Sequence, residues 1–298
     1  MAEKIKLGVI GMSDGNGHPY SWSAIFNGYD MEAMKDCPFP GIPAYLNEQK
    51  FPEDGLGELG KVTHIWTQDR HISEHIAKAS NIEYIVDHAV DMIGQVDAIL
   101  LARDDAENHA EMAKPFLKAG LPIFIDKPFA LNLEDSEKMF SWRKYKSQIF
   151  TCSSIKYAKE LELTNEENVQ LGEILYVEAG ISKLWDTYAI HVLDPMINQI
   201  PHRGNLVNVK SIKTGEIHQT LIQWENVNAY VKVTGAVPTV PEITYFGEKG
   251  SVKKTFHDAY SCFKNSLYHF IQQINKKEML IEEEETLELV KIISWARK

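Results

Sequence analysis

The chain has 298 residues, 44% of them hydrophobic and 24% charged, with a formal net charge of −11. That length can hold two cores, and an acidic balance with 31 scattered Lys and Arg excludes a nucleic-acid surface, which needs clustered cations. A small-molecule substrate fits better. The cysteines, Cys37, Cys152 and Cys262, are odd in number and far apart, which excludes a disulfide framework or metal cage and points to a reducing compartment. Met1-Ala2-Glu3-Lys4 runs straight into Ile5 to Ile10 without the features of a signal peptide, and no apolar run reaches the ~18 residues of a membrane span. A cytoplasmic location and no membrane partner are therefore expected.

The first half alternates apolar runs with amphipathic stretches, the pattern of helices packed on both faces of a parallel sheet. Strands are predicted at Ile5 to Ile10, Val62 to Thr67, Ala98 to Ala102, Ile123 to Ile125 and Gln148 to Thr151. Helices are predicted at Ser21 to Gly28, Ile72 to Ala79, Glu107 to Ala119 and Leu133 to Lys146. Between Asp30 and Gly60, four prolines and four glycines are too many breakers for one regular helix; the segment reads as an irregular insertion, either a lid or surface decoration.

Beyond Lys156 the pattern changes. A short helix to Leu171 leads to a strand at Ile174 to Ile181 and a helix at Tyr188 to Gln199. Strands follow at Val207 to Thr214, Thr220 to Trp224, Ala229 to Thr234, Ile243 to Phe246 and Val252 to Thr255, the signature of a mostly antiparallel sheet with one covered face. Helices at Tyr260 to Asn275 and Glu283 to Ala296 close the chain. The acidic run Glu282 to Glu285 suits a helix start, where the macrodipole favours negative charge. The expected architecture is α/β: a doubly wound Rossmann domain over residues 1–128, then an α+β substrate and oligomerisation domain over 129–298 that includes the crossover 129–151.

The chemistry starts at the first strand. It ends in Gly11-Met12-Ser13-Asp14-Gly15-Asn16-Gly17-His18 and enters a helix, a form that lets backbone N–H groups meet a pyrophosphate. Ser13 and Asn16 stand where the GxGxxG fingerprint has its second and third glycines. After the second strand come Thr67-Gln68-Asp69-Arg70; Asp69 could accept ribose hydroxyls and Arg70 could face a 2′-phosphate, so NAD and NADP both remain open. The third predicted strand leads into Arg103 and Asp104, followed by His109.

Eighteen residues after His109 lies Lys127, in Asp126-Lys127-Pro128. Here the sequence resembles the glucose-fructose oxidoreductase, inositol dehydrogenase and MocA family of NAD(P)-dependent enzymes. Asp126-Lys127-Pro128 is similar to its Glu-Lys-Pro signature, with His109 at the matching distance upstream. Gly172-Glu173-Ile174 resembles its Gly-x-Ile entry to the second domain. Trp185 to Asp194 resembles its Asp-x-Gly-x-His-x-x-Asp segment, matching at His191 and Asp194, with Thr187 in place of the first Asp and Ala189 in place of the glycine.

The resemblance implies a nicotinamide cofactor, a sugar, cyclitol or nucleotide-sugar substrate lying between the domains, and a homodimer or homotetramer joined through the second sheet. Alcohol oxidation needs a base near neutral pH, and His191 is the candidate. Lys127, restricted by Pro128 to an extended form, can support charge on the substrate oxygen. Asp186 or Tyr188 could replace the polar group lost at Thr187, and Asp194 could orient a neighbour. His71-Ile72-Ser73-Glu74-His75 spells H-x-x-E-H but lacks a third ligand, so no metal is expected. Trp185 and Trp224 fit a core better than a sugar platform. The alternative is a dinucleotide-binding sensor or regulatory subunit without turnover.

Overall fold

The computed structural model describes residues 4–297. The chain divides into two interleaved compact units: one runs up to Phe129 and adds Glu134–Thr151 and Phe263–Glu282, the other takes Ala130–Leu133, Cys152–Cys262 and the segment from Glu283. The helix Ala259–Lys276 begins in the second unit and continues in the first.

In the first unit six parallel strands, β1 (Ile5–Ile10), β2 (Gly60–Trp66), β3 (Tyr84–Ile85), β4 (Ala98–Leu101), β5 (Ile123–Ile125) and β6 (Ile149–Phe150), stand in the order β3-β2-β1-β4-β5-β6. The inner strands read as continuous apolar runs because both faces are covered; every residue of β4 and β5 is buried. Helices α1 (His18–Asn27), α4 (Arg70–Ala79) and α5 (His109–Ala119) fall where amphipathic spacing places them. The two-residue β3 is too short to announce itself by periodicity.

The 30–60 insertion holds two short helices, α2 (Met31–Met34) and α3 (Gly41–Asn47), and is packed rather than loose: Met34, Ile42, Leu46 and Leu56 are buried. It leans on the start of α1, where Gly17 is required. A Cβ there would lie 2.5 Å from Ile42 and 2.6 Å from Phe39, so any larger residue would force the insertion away.

The helix expected over Leu133 to Lys146 is α6 (Leu133–Ser141), which stops early. The second unit then opens with α7 (Asn165–Leu171), started by a capping box in which the Thr164 hydroxyl accepts from the Glu167 N–H and the Glu167 carboxylate accepts from the Thr164 N–H. Its sheet comprises β7 (Ile174–Ile181), β8 (Leu206–Thr214), β9 (Ile217–Trp224), β10 (Asn228–Thr234), β11 (Glu242–Gly247) and β12 (Ser251–Thr255), in the order β12-β11-β7-β10-β9-β8. Every pairing is antiparallel except β7 with β10, so the sheet is mixed.

Alternation is clean on β9, where His218, Thr220, Ile222 and Trp224 are buried while Gln219, Leu221 and Gln223 are exposed. The helix expected over Tyr188 to Gln199 is broken into α8 (Trp185–Tyr188) and α9 (Ile190–Asn198). With α11 (Glu283–Trp295), α9 packs against strands of this sheet. The long α10 (Ala259–Lys276) precedes α11. Trp185 and Trp224 are core residues; the Trp185 indole donates to the Ile293 carbonyl and that of Trp224 to Glu288.

Candidate functional site

In the first unit the strand order reverses beside β1, so the carboxyl ends of β1 and β4 form the switch point at which ligands of open parallel sheets bind. Four loops meet there, following β1, β2, β4 and β5. Gly15, at φ +74 with open space where a Cβ would stand, gives the first loop a turn other residues resist. The N-cap Gly17 of α1 makes no side-chain capping bond and the first turn has no acidic residue, so the positive end of the helix dipole faces this edge without a local carboxylate of its own.

The two departures from the glycine fingerprint tie this loop down. Ser13 donates to the Asp104 carboxylate at 2.6 Å and accepts the Asp104 N–H at 3.0 Å. Buried Asn16 donates to Asp126 at 2.8 Å and accepts the His18 N–H at 2.8 Å. Met12 is pinned through its backbone, its N–H donating to Gln68 and its carbonyl accepting from the Gln68 amide at 2.7 Å. Side-chain bonds thus do for this loop what close glycine packing does in the fingerprint.

Each cation of this edge meets a carboxylate. Lys127 is buried, at 3% exposure, with its ammonium 3.2 Å from Asp104. Arg103 grips Asp105 through two bonds and reaches Gln68 at 3.0 Å. His18 lies 2.5 Å from Asp126, its ring stacked on Trp22 and met edge-on by Phe263. Burial pushes the Asp104 carboxyl up, but the Lys127 charge, the Ser13 hydroxyl and His18 outweigh it and hold it below the usual carboxylate range. The Asp105 carboxyl is likewise held low, burial being overcome by Arg103 and Asn108.

Other sequence candidates have different partners. Asp69 caps α4 by accepting the His71 N–H, and Arg70 pairs with Asp87 at 2.9 Å and with Glu74. His109 is fully buried between two backbone carbonyls, those of Phe129 at 3.1 Å and Arg103 at 2.8 Å, and so joins the loop after β4 to the chain beyond β5. Pro128 follows Lys127 through a cis peptide bond. His71 is exposed while His75 turns to the Tyr20 hydroxyl; among the described residues no group of three His, Cys, Asp or Glu could hold a metal.

In the second unit His191 stands in the first turn of α9, its Nδ1 2.8 Å from the Ser153 hydroxyl and its ring met edge-on by Tyr188. The Lys183 ammonium bonds the Tyr188 hydroxyl and lies over its ring; Lys183 itself takes a positive φ of 71. Asp186 instead pairs with Arg297 at 3.3 Å, both partly exposed. Asp194 does orient a neighbour: buried, it accepts the Ser153 N–H at 2.8 Å and pairs with Lys156 at 3.1 Å. Lys156 also contacts Glu285. Burial alone would lower the Lys156 pKa, yet the two carboxylates raise it and hold the ammonium charged.

Sequence reasoning missed Ser153, Lys156, Lys183 and Glu285. No motif marks them, and Glu285 lay hidden in a run that reads as a helix start.

A parallel sheet with a helix-opening glycine loop at its switch point defines the Rossmann class of nucleotide-binding folds. Residues 40–153 match the model of an oxidoreductase family with an NAD-binding Rossmann fold, the Gfo/Idh/MocA family. The matched segment carries Asp126-Lys127-Pro128. No curated protein matches the sequence. Among solved structures the fold is similar to that of myo-inositol 2-dehydrogenase from Lactobacillus plantarum, at 13% identity and TM-score 0.76, covering 99% of this chain and 96% of that one. It is also similar to UDP-N-acetylglucosamine 3-dehydrogenase from Acidithiobacillus ferrooxidans, at 12% identity and TM-score 0.73, covering 99% and 97%. The apo scyllo-inositol dehydrogenase from Lactobacillus casei gives 14% identity and TM-score 0.72, covering 99% and 95%. Among the described residues no helix is long and apolar enough to cross a membrane.

Proposed function

We propose that the protein is an NAD- or NADP-dependent dehydrogenase or reductase acting on the CH–OH or carbonyl group of a sugar, cyclitol or nucleotide-linked sugar. The observation that carries this reading is Lys127: a buried ammonium at the carboxyl end of β5, tied to Asp104 on the neighbouring strand's loop. The loop fits a dinucleotide through the positive-φ turn at Gly15 and its place between β1 and α1 at the switch point of the sheet. A bound nicotinamide would supply or accept the hydride. The chain's part is to hold the substrate oxygen near Lys127 and to move its proton, the role assigned to His191.

Of the two candidates for a further polar group, Tyr188 is favoured because it touches His191, whereas Asp186 is engaged by Arg297. The inositol and UDP-N-acetylglucosamine dehydrogenases that share the fold support a hydroxyl-rich ring as substrate class. A homodimer or homotetramer would cover the second sheet's outer face, where Ile212 and Leu221 are exposed and Tyr176 and Phe246 pack together. A cytoplasmic location completes the reading.

A sensor without turnover is the second reading. What favours it is that Lys127, Arg103, Arg70 and His18 each already face a carboxylate. Titration with NAD(H) and NADP(H), then a panel of sugars and cyclitols, separates the two. The enzyme reading expects turnover that falls ~10²- to 10⁴-fold in Lys127→Ala and in His191→Ala. Cofactor binding without turnover of any panel member would leave the sensor; absence of cofactor binding would sink both.

A further inference from the structure

We propose that Ser153 is the positioning residue of His191, and that its hydroxyl gives the neutral imidazole its proton on Nε2. The inference rests on His191 as the acid–base group of the proposed reaction only for its use, not for its geometry. The motif that the sequence resembles supplies an acid at the position of Thr187, four residues before His191. In this chain the contact to Nδ1 comes from a different segment, 38 residues away.

The hydrogen-bond inventory of Ser153 fixes the direction. The residue has no exposed surface. Its hydroxyl oxygen accepts the Ile155 N–H at 3.3 Å and lies 2.8 Å from His191 Nδ1. A buried hydroxyl hydrogen needs an acceptor, and among the described residues His191 Nδ1 is the acceptor within reach. With Nδ1 accepting, a neutral ring carries its hydrogen on Nε2. Once the imidazole is protonated, Nδ1–H donates and the same hydroxyl oxygen accepts, so the hydroxyl hydrogen loses its acceptor and the neutral ring is the better-satisfied state.

The frame beneath Ser153 explains how a small side chain can hold the ring. Its backbone N–H donates to Asp194 at 2.8 Å, and Asp194 is in turn fixed by Lys156, itself bonded to Glu285 on α11. The buried carboxylate that follows His191 in sequence therefore acts on the imidazole indirectly, by anchoring the backbone of the residue that touches it. A neutral hydroxyl stands at Nδ1, and a hydroxyl, unlike a carboxylate, can donate as well as accept.

The test is ¹⁵N NMR of the full chain labelled at histidine, reading the ring nitrogens above the titration of His191, with the signal assigned by its loss in His191→Gln. The wild type and Ser153→Thr, which keeps the hydroxyl, are expected to show the Nε2–H form; Ser153→Ala is expected to shift population toward Nδ1–H. A wild-type ring in the Nδ1–H form overturns the proposal without any variant, as does an unchanged Nε2–H form in folded Ser153→Ala. Turnover assays run on the same samples stand apart: an Nε2–H ring in a protein that turns over no sugar or cyclitol leaves Ser153 in its role and sinks the enzymatic reading alone.

Discussion

The two candidate clusters are built in opposite ways. At the first sheet's edge, four loops after four parallel strands converge because every strand points the same way, and charge is balanced pair by pair, Lys127 with Asp104 and Arg103 with Asp105. Around His191 the polar groups come from a helix start, a distant turn and α11, with one ammonium between two buried or half-buried carboxylates and a neutral serine at the imidazole. The first arrangement places charge by topology. The second places it by a chain of contacts, so it should be the more sensitive to loss of one link.

The sharpest break is expected at that link. Asp194→Ala removes one partner of a buried pair and leaves Lys156 and the Ser153 N–H short of an acceptor, which should cost ~3–5 kcal/mol in urea unfolding. Equal destabilisation by Asp194→Ala and by a change to exposed Asp69 would contradict the contrast. At the first edge, Asp104→Asn keeps the shape but removes the charge facing Lys127; a loss of ~1.5–3 kcal/mol is expected, with Lys127 becoming more reactive toward an acylating reagent read by mass spectrometry.

The two clusters should also respond at opposite ends of the pH scale. Asp104 and Asp105 have depressed pKa values when folded, so their stabilisation is present above the ordinary carboxyl range of ~3.9 and is lost as pH falls through the lower folded values. Lys156 is raised; its contribution is complete below the ordinary lysine value of ~10.4 and disappears as pH rises through the folded value. Hydrogen exchange followed by unit should show β1 and β4 loosening in acid and α9 loosening in alkali. The reverse order would break the assignment.

Smaller effects test the local rules. Thr164→Ala removes the cap of α7 and should cost ~1 kcal/mol in thermal or urea unfolding. Leu221→Thr, on the exposed face of β9, should shift the stability of the monomer by no more than ~0.5 kcal/mol. A larger loss that depends on protein concentration would show that this face is covered in solution.

Much of the fold was legible because both sheets obey periodicity. β1, β5 and β7 have the bounds that their apolar runs predict, Ile5–Ile10, Ile123–Ile125 and Ile174–Ile181. The break between α8 and α9 was not, because it falls on Ala189, a strong helix former that keeps helical dihedrals. Lys127 and His191 stood out because their segments resemble the Glu-Lys-Pro and His-x-x-Asp stretches of a known family. The 30–60 insertion was readable as irregular, but not as a packed neighbour of Gly17.

The sequence by itself determined where strands and helices lie and which residues end the parallel strands, since side-chain period and backbone breakers are local properties of the chain. Tertiary structure alone decided the partners: Ser13 with Asp104, 91 residues on, Asn16 with Asp126, 110 residues on, and Ser153 with His191. It also decided that β7 pairs parallel with β10 inside an otherwise antiparallel sheet. A hydroxyl or amide bonds whatever donor or acceptor packing brings within about 3 Å, and that choice is made by the path of the backbone, not by the residue's neighbours in sequence.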